Sequence, residues 1–242
     1  MGEGCVSVVT ATYNEADNIS EFIDRVERAL EGYRFELVIV DDDSPDGTAE
    51  IARKAGSRYG NVRVIVRKGE RGLASALLKG IASASCDYVV VMDADLQHPP
   101  EVLPKIIDTL LRDSVDLVVA SRYVSGGGVR GWSAFRRLVS RVAVYAAHLL
   151  VPRTRAVRDP ISGFFAVRRE LVLRERESLC TEGFKLLIEV LAKCDWRRIA
   201  EVPYTFQRRE RGKSKLGAGE ILKYLVQVLR LARYSSRAEV VH

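Results

Sequence analysis

Apolar residues fall along this chain in two alternating rhythms. Val6 to Thr10, with three valines in five residues, reads as a first strand, and Asn18 to Leu30 then places Ile19, Phe22, Ile23, Val26 and Leu30 on one helical face. Phe35 to Val40 returns to a strand, Thr48 to Ser57 to a helix and Val62 to Val66 to a strand. Gly72 to Ser83 reads as a helix of small residues, Tyr88 to Met92 as a strand, Val102 to Leu111 as a helix and Val115 to Ala120 as a strand. Strands alternating with helices predict an α/β fold with a parallel sheet and right-handed crossovers. Beyond Arg122 the alternation breaks at Gly126-Gly127-Gly128, expected to be flexible, and gives way to long helices at about 133–150 and 220–233.

A chain of 242 residues with 47% apolar content can bury a full core, and one domain over 1–242 is expected. Cys5, Cys86, Cys180 and Cys194 form no Cys-x-x-Cys pair, so they read as buried thiols of a reducing compartment and not as zinc ligands. Met1 to Thr10 lacks a basic stretch ahead of an apolar one, so no signal peptide is expected. The longest nearly apolar run, Val142 to Val151, is broken by His148 and falls short of the roughly 20 residues of a membrane span.

The net charge of +6 conceals a split. Residues 1–121 hold 13 Lys and Arg against 21 Asp and Glu, whereas 122–242 hold 25 against 11. An acidic half suits a metal, and a basic half suits phosphate, anionic lipid or nucleic acid. Aromatic residues are sparse and follow a buried pattern, with no run resembling a nucleic-acid platform, so RNA is disfavoured as a partner.

The sharpest chemistry lies in Asp93-Ala94-Asp95-Leu96-Gln97-His98-Pro99-Pro100-Glu101. A buried strand ending at Met92 carries Asp93 and Asp95 to its carboxyl end, where open α/β sheets bind ligands, and hard oxygen donors at this spacing suit Mg2+ or Mn2+ carrying phosphates. One Asp capping the turn is the competing reading. Ala11-Thr12-Tyr13-Asn14-Glu15 and Asp41-Asp42-Asp43-Ser44-Pro45-Asp46-Gly47-Thr48 follow the first and second strands. They bring an aromatic ring and carboxylates to the same edge, where a nucleotide could stack and donate hydrogen bonds. Some of Asp42 to Asp46 must also serve as turn and cap residues. No Gly-x-Gly-x-x-Gly or P-loop occurs.

With Asp159-Pro160-Ile161-Ser162-Gly163-Phe164-Phe165 and Arg209-Glu210-Arg211-Gly212-Lys213-Ser214-Lys215-Leu216 added, the chain resembles the polyprenyl-phosphate (dolichyl-phosphate) mannose synthases, from about Val6 to the last helix. The resemblance implies an inverting, metal-dependent glycosyltransferase of GT-A (Rossmann-like) fold, with a mostly parallel central sheet flanked by helices. It implies that Ala11, Tyr13, Glu15, Val40 and Asp42 hold the guanosine of GDP-mannose, with Asp93 and Ala94 beside the nucleotide and Asp95 and Gln97 on Mg2+ or Mn2+. Most relatives have Pro at the position of Ala11. Lys185, Arg209 and Lys215 would neutralise the leaving diphosphate, and Arg122, Arg136 and Ser140 would clamp the phosphate of a dolichyl or polyprenyl acceptor. Asp93, Asp95, Arg122 and Arg209 are the expected catalytic residues.

Arg136 and Ser140 lie one turn apart on the helix beginning near Ser133, which also carries Trp132, Phe135, Leu138, Val139, Val142 and Leu149 as an apolar stripe. The last helix confines its polar residues to Glu220, Lys223, Gln227 and Arg230. Both fit amphipathic helices on a membrane surface, placing the protein peripherally on the cytoplasmic face, with a separate small membrane subunit as another occupant. Asp159 could orient a sugar hydroxyl or cap a turn. A UDP-glucose-dependent glucosyltransferase and an inactive membrane-recruiting scaffold are the alternative functions.

Overall fold

The computed structural model describes residues 4–112, 115–180, 185–208 and 218–239. In chain order the first half runs β1 (Val6–Thr12), α1 (Ala16–Ala29), β2 (Phe35–Asp41), α2 (Thr48–Gly56), β3 (Val62–Val66), α3 (Leu73–Ser83), β4 (Tyr88–Val91), α4 (Leu103–Arg112) and β5 (Leu117–Ser121). The second half continues with β6 (Gly128–Val129), α5 (Ala134–Leu150), β7 (Phe165–Arg168), α6 (Arg169–Arg174), α7 (Leu186–Lys193), β8 (Ile199–Pro203), β9 (Thr205–Phe206) and α8 (Ala218–Glu239).

Seven strands form one sheet in the order β3-β2-β1-β4-β7-β5-β8, and β6 pairs with β9 in a small second sheet. The first four strands are parallel, as the alternation predicts. β5, however, is not the neighbour of β4: β7 enters between them, antiparallel to both. The sheet is therefore mixed and mostly parallel. Phe165–Arg168 is only four residues long and runs antiparallel, so a reading built on parallel βαβ units passes over it.

Strand pleating sorts the core into two layers. Val8, Leu37, Ile39, Val90 and Met92 face α1 and α4, while Val9, Val38, Val40, Val89 and Val91 face α3 and α7. On α1 the buried Ile19, Phe22, Ile23 and Val26 keep helical spacing. The small residues of α3 have a direct cause: a Cβ on Gly80 would lie 2.4 Å from Val9 Cγ1, so this helix sits against the sheet at a distance only glycine allows. A third cluster joins α5, α7 and α8 through Ala147, Val151, Ile188, Tyr224, Val228 and Leu231.

One expectation is corrected. Cys5 and Cys86 are joined in a disulfide with Cα atoms 5.1 Å apart, because β1 and β4 are neighbours and start together; only Cys180 and Cys194 are free. Gly127 is closely packed: a Cβ there would lie 2.6 Å from the Ser121 carbonyl oxygen, so the chain passes hard against the end of β5. Among the described residues no helix is long and apolar enough to cross a membrane.

Candidate active site

The loops leaving β1, β2 and β4 emerge side by side and line a cleft of about 1410 Å³. Each loop passes through a left-handed residue that is not glycine: Asn14 (φ 56°), Asp43 (φ 53°) and Leu96 (φ 63°). Asn and Asp tolerate this conformation, whereas Leu is strained there and must be held by its surroundings. Gln97 N–H donates to Asp95 Oδ1 at 3.1 Å, and Gln207 N–H donates to the Gln97 carbonyl at 2.9 Å, fixing the turn on both sides of Leu96.

The first two loops are stapled together. Asn14, Glu15 and Ala16 N–H groups donate to Ser44 Oγ (3.0 Å), Thr48 Oγ1 (3.0 Å) and Asp46 Oδ2 (3.1 Å). Asp46 also accepts from Thr48 N–H; these bonds outweigh burial and hold its pKa below the usual carboxylate range. Asp41 accepts from Thr12 and Ser44. The acidic run thus divides: Asp41 and Asp46 are structural, while Asp42 lines the cleft. Asp42 is locked in place, with Oδ1 taking Arg67 Nε at 2.8 Å and Oδ2 taking Gly72 N–H at 2.9 Å. Ala11, Tyr13 and Glu15 line the same wall, Glu15 accepting from Asn18 at 2.8 Å and Tyr13 carrying the Arg71 guanidinium 4.5 Å above its ring. Val40 does not reach this wall. Its side chain is fully buried in the layer facing α3, because the pleat turns it away from the loop edge.

Deeper in the cleft stand Asp93, Ala94, Asp95, Gln97 and Lys185. Buried His98 accepts the Asp93 N–H on Nδ1 at 3.0 Å, stacked on Phe164 and edge-on to Tyr204 and Phe206. Burial pushes its pKa down to about 3, so it is neutral with the proton on Nε2. Gly163 lets this layer close, since a Cβ there would lie 3.0 Å from His98 Cε1 and 3.4 Å from Asp93 Oδ2. Lys185 is half-buried, and desolvation lowers its pKa against the pull of Asp93. Gln97 donates its amide N–H to the Gln207 carbonyl at 3.1 Å, which fixes the side chain and leaves its oxygen as an acceptor. That oxygen and the Asp95 carboxylate are a two-residue donor set of the hard type that fits Mg2+ or Mn2+ with substrate phosphates and water completing the shell. Among the described residues no cluster of three or more His, Cys, Asp or Glu offers a fuller cage.

At the α5 end, Arg122 is buried and gripped by Asp159: Nε to Oδ2 and Nη2 to Oδ1, both 2.7 Å, with the Arg122 N–H on Oδ2 at 3.0 Å. Burial opposes this charge, and the Asp159 carboxylate overcomes it and raises the guanidinium pKa. Asp159 is 0% exposed and does not line the cleft, so it orients Arg122 and no sugar hydroxyl. Arg136 stacks 4.4 Å over Trp132, which also lies 5.4 Å from the Arg122 guanidinium. Burial and then Arg122 lower the Arg136 pKa. Ser140 Oγ shares a 2.7 Å hydrogen bond with the Tyr123 hydroxyl. Arg136 Nε and Trp132 Nε1 are buried donors with no hydrogen-bond partner among the described residues.

Arg209 and Lys215 lie outside the described residues. Of the remaining expected residues, all but Val40 line the one cleft. Sequence reasoning passed over Arg67, Arg71 and His98 as site-shaping residues and took Trp132 only for an apolar stripe. Arg67, Arg71 and the ring stack of His98 take their roles from partners far along the chain.

Residues 7–174 match the family model described as Glycosyl transferase family 2. The chain is 46% identical over 234 residues to the dolichol-phosphate mannosyltransferase of Pyrococcus furiosus, covering 97% of this chain and 65% of that protein's length. It is 39% identical over 235 residues to the dolichol-phosphate mannosyltransferase of Saccharomyces cerevisiae, covering 93% and 86%. Among solved structures, glucosyl-3-phosphoglycerate synthase from Mycobacterium tuberculosis with Mn2+, UDP-glucose and phosphoglyceric acid superposes with a TM-score of 0.71 at 26% identity, over 95% of this chain and 80% of that one.

Proposed function

Because the chain belongs to glycosyl transferase family 2, we propose that it transfers mannose from GDP-mannose to a dolichyl or polyprenyl phosphate with inversion, residues 1–242 acting as one catalytic domain. The observation that carries the acceptor assignment is the pair of buried donors Arg136 Nε and Trp132 Nε1, without partners among the described residues, beside the fixed guanidinium of Arg122. Buried donors left without partners cost stability, and an anion in the cleft would satisfy them.

A phosphate monoester with a second pKa of roughly 6 is largely dianionic at neutral pH, so the nucleophile needs no protein base. The protein's work is then orientation and charge. A phosphate oxygen attacks the anomeric carbon of the α-linked donor from the face opposite GDP. The bond to the diphosphate breaks with its electron pair on the leaving oxygen, and the sugar emerges β-linked. Arg122, Arg136 and Ser140 hold the acceptor phosphate in line; Lys185, Arg209 and Lys215 receive the charge growing on GDP. Ala11, Tyr13, Glu15 and Asp42 seat the guanosine, and Asp93 and Ala94 flank it. A bound Mg2+ or Mn2+, held by Asp95 and Gln97, would supply Lewis acidity to the diphosphate.

The acceptor's chain calls for a lipid surface. Phe135, Leu138, Val142, Tyr145 and Leu149 on α5 are 58–75% exposed, and Leu222, Leu225, Val226 and Leu229 on α8 are 45–63% exposed. These adjoining faces support attachment to the cytoplasmic face of a membrane, directly or through a small membrane subunit.

The M. tuberculosis structure makes UDP-glucose the comparison donor. Radiolabelled sugar should pass from GDP-mannose to polyprenyl phosphate in detergent with Mn2+, and EDTA should abolish it. Transfer from UDP-glucose alone would overturn the donor, and EDTA-insensitive transfer would overturn the metal.

A further inference from the structure

Helix α8 carries two surfaces. Leu222, Leu225, Val226 and Leu229 face outward, while Gln227 is turned inward and only 3% exposed. The amide of Gln227 is fully engaged. Its Nε2 donates to the Lys185 carbonyl and to Glu189 Oε1, each at 3.0 Å, and its Oε1 accepts the Lys185 N–H at 3.3 Å. One side chain thus binds both backbone groups of Lys185, the extended residue that precedes α7. Glu189 is itself 0% exposed, with Oε2 on Lys193 Nζ at 2.8 Å and on the Cys180 N–H at 3.4 Å.

Satisfying Glu189 would need a single donor. A carboxamide is suited to the rest of the task, because it can donate to a carbonyl, donate to a carboxylate and accept an N–H at once. The two backbone bonds fix where the Lys185 side chain departs, and Lys185 lines the cleft. We propose that Gln227 is a positioning residue for the reaction: it ties the outward-facing apolar helix to Lys185, so that the seating of α8 sets the cation offered to the donor's diphosphate. This rests on the assignment of Lys185 to the donor under the proposed function. It goes beyond that assignment in joining donor binding to the helix that meets the lipid.

The test uses the full chain and follows the KM for GDP-mannose together with thermal stability. Lys185→Met should raise the donor KM; Gln227→Met, isosteric but without the amide, should raise it by about tenfold to a hundredfold, the scale of a misplaced binding group. The double variant should be no worse than Lys185→Met. Tyr224→Phe removes a different α8 bond, that from the Tyr224 hydroxyl to the Ala143 carbonyl at 2.7 Å, and should lower stability with no change in donor KM. A wild-type donor KM in Gln227→Met, with Lys185→Met impaired, overturns the inference and leaves the functional reading standing. An unimpaired Lys185→Met overturns the reading beneath it. An equal rise in Tyr224→Phe would mean general loosening of α8 and would also overturn the inference. Should Gln227→Met not fold, Gln227→Asn, which keeps the amide and shortens its reach, is read in the same way.

Discussion

Arg122 and Asp159 form a buried pair in which neither residue can be removed without cost to the other. Taking the charge from Asp159 leaves a buried guanidinium unpaired, a loss of ~3–5 kcal/mol, whereas replacing both residues costs far less. Asp159→Asn is expected to lower the urea midpoint accordingly and to depress turnover by releasing the Arg122 fork; a variant with wild-type stability would contradict the pairing. His98 makes a prediction of opposite chemistry. Its pKa is about 3 when folded against an ordinary value of 6.5, so between these limits the unfolded chain binds the extra proton. Its contribution is complete above the unfolded pKa and drains away as pH falls, by about 2 kcal/mol from pH 6.5 to pH 5 at ~1.4 kcal/mol per unit. Metal-free protein should show this slope in denaturant titrations and His98→Asn should lack it; equal slopes would refute a neutral buried histidine. At this scale Asp93, Asp95 and Gln97 were legible because their spacing is local. Arg67 on Asp42 and Gln227 on Lys185 were not, since each pair is joined only when distant segments meet.

Among the elements, α5 and α8 bear the most unusual surface. Both helices pack inward through Ala147, Tyr224, Val228 and Leu231, yet keep apolar residues outward along their length. Fully burying one such side chain is worth roughly 1.5–3 kcal/mol, so several together can hold a protein at an acyl boundary. Val142→Glu combined with Leu229→Glu should reduce co-sedimentation with anionic lipid vesicles severalfold. Stability should move by only about 0.5 kcal/mol per exposed site. Undiminished sedimentation would remove lipid as the partner of this face. Periodicity predicted α5 closely and the start of α8, which runs on to Glu239 beyond the expected end at 233, but the exposure of their stripes emerged only from packing. β7 escaped notice for a related reason: four residues paired antiparallel between β4 and β5 leave no pattern longer than a loop's.

Taken whole, the molecule sets an acidic, metal-suited corner at the ends of β1, β2 and β4 against a basic wall supplied by the second half of the chain. The charge split between residues 1–121 and 122–242 anticipated this division, and all the expected residues that the structure describes except Val40 meet in one cleft. The paired cysteines were not anticipated, because the 81-residue separation of Cys5 and Cys86 hides the adjacency of β1 and β4. The central claim is that this cleft carries out a single displacement by a lipid phosphate on the anomeric carbon of GDP-mannose. Its most direct test is the anomeric configuration of the mannosyl phosphate formed from the α-linked donor, read by NMR of the purified lipid product. A β-linked mannosyl phosphate is predicted; an α-linked product, or free mannose with no lipid product, would contradict the account.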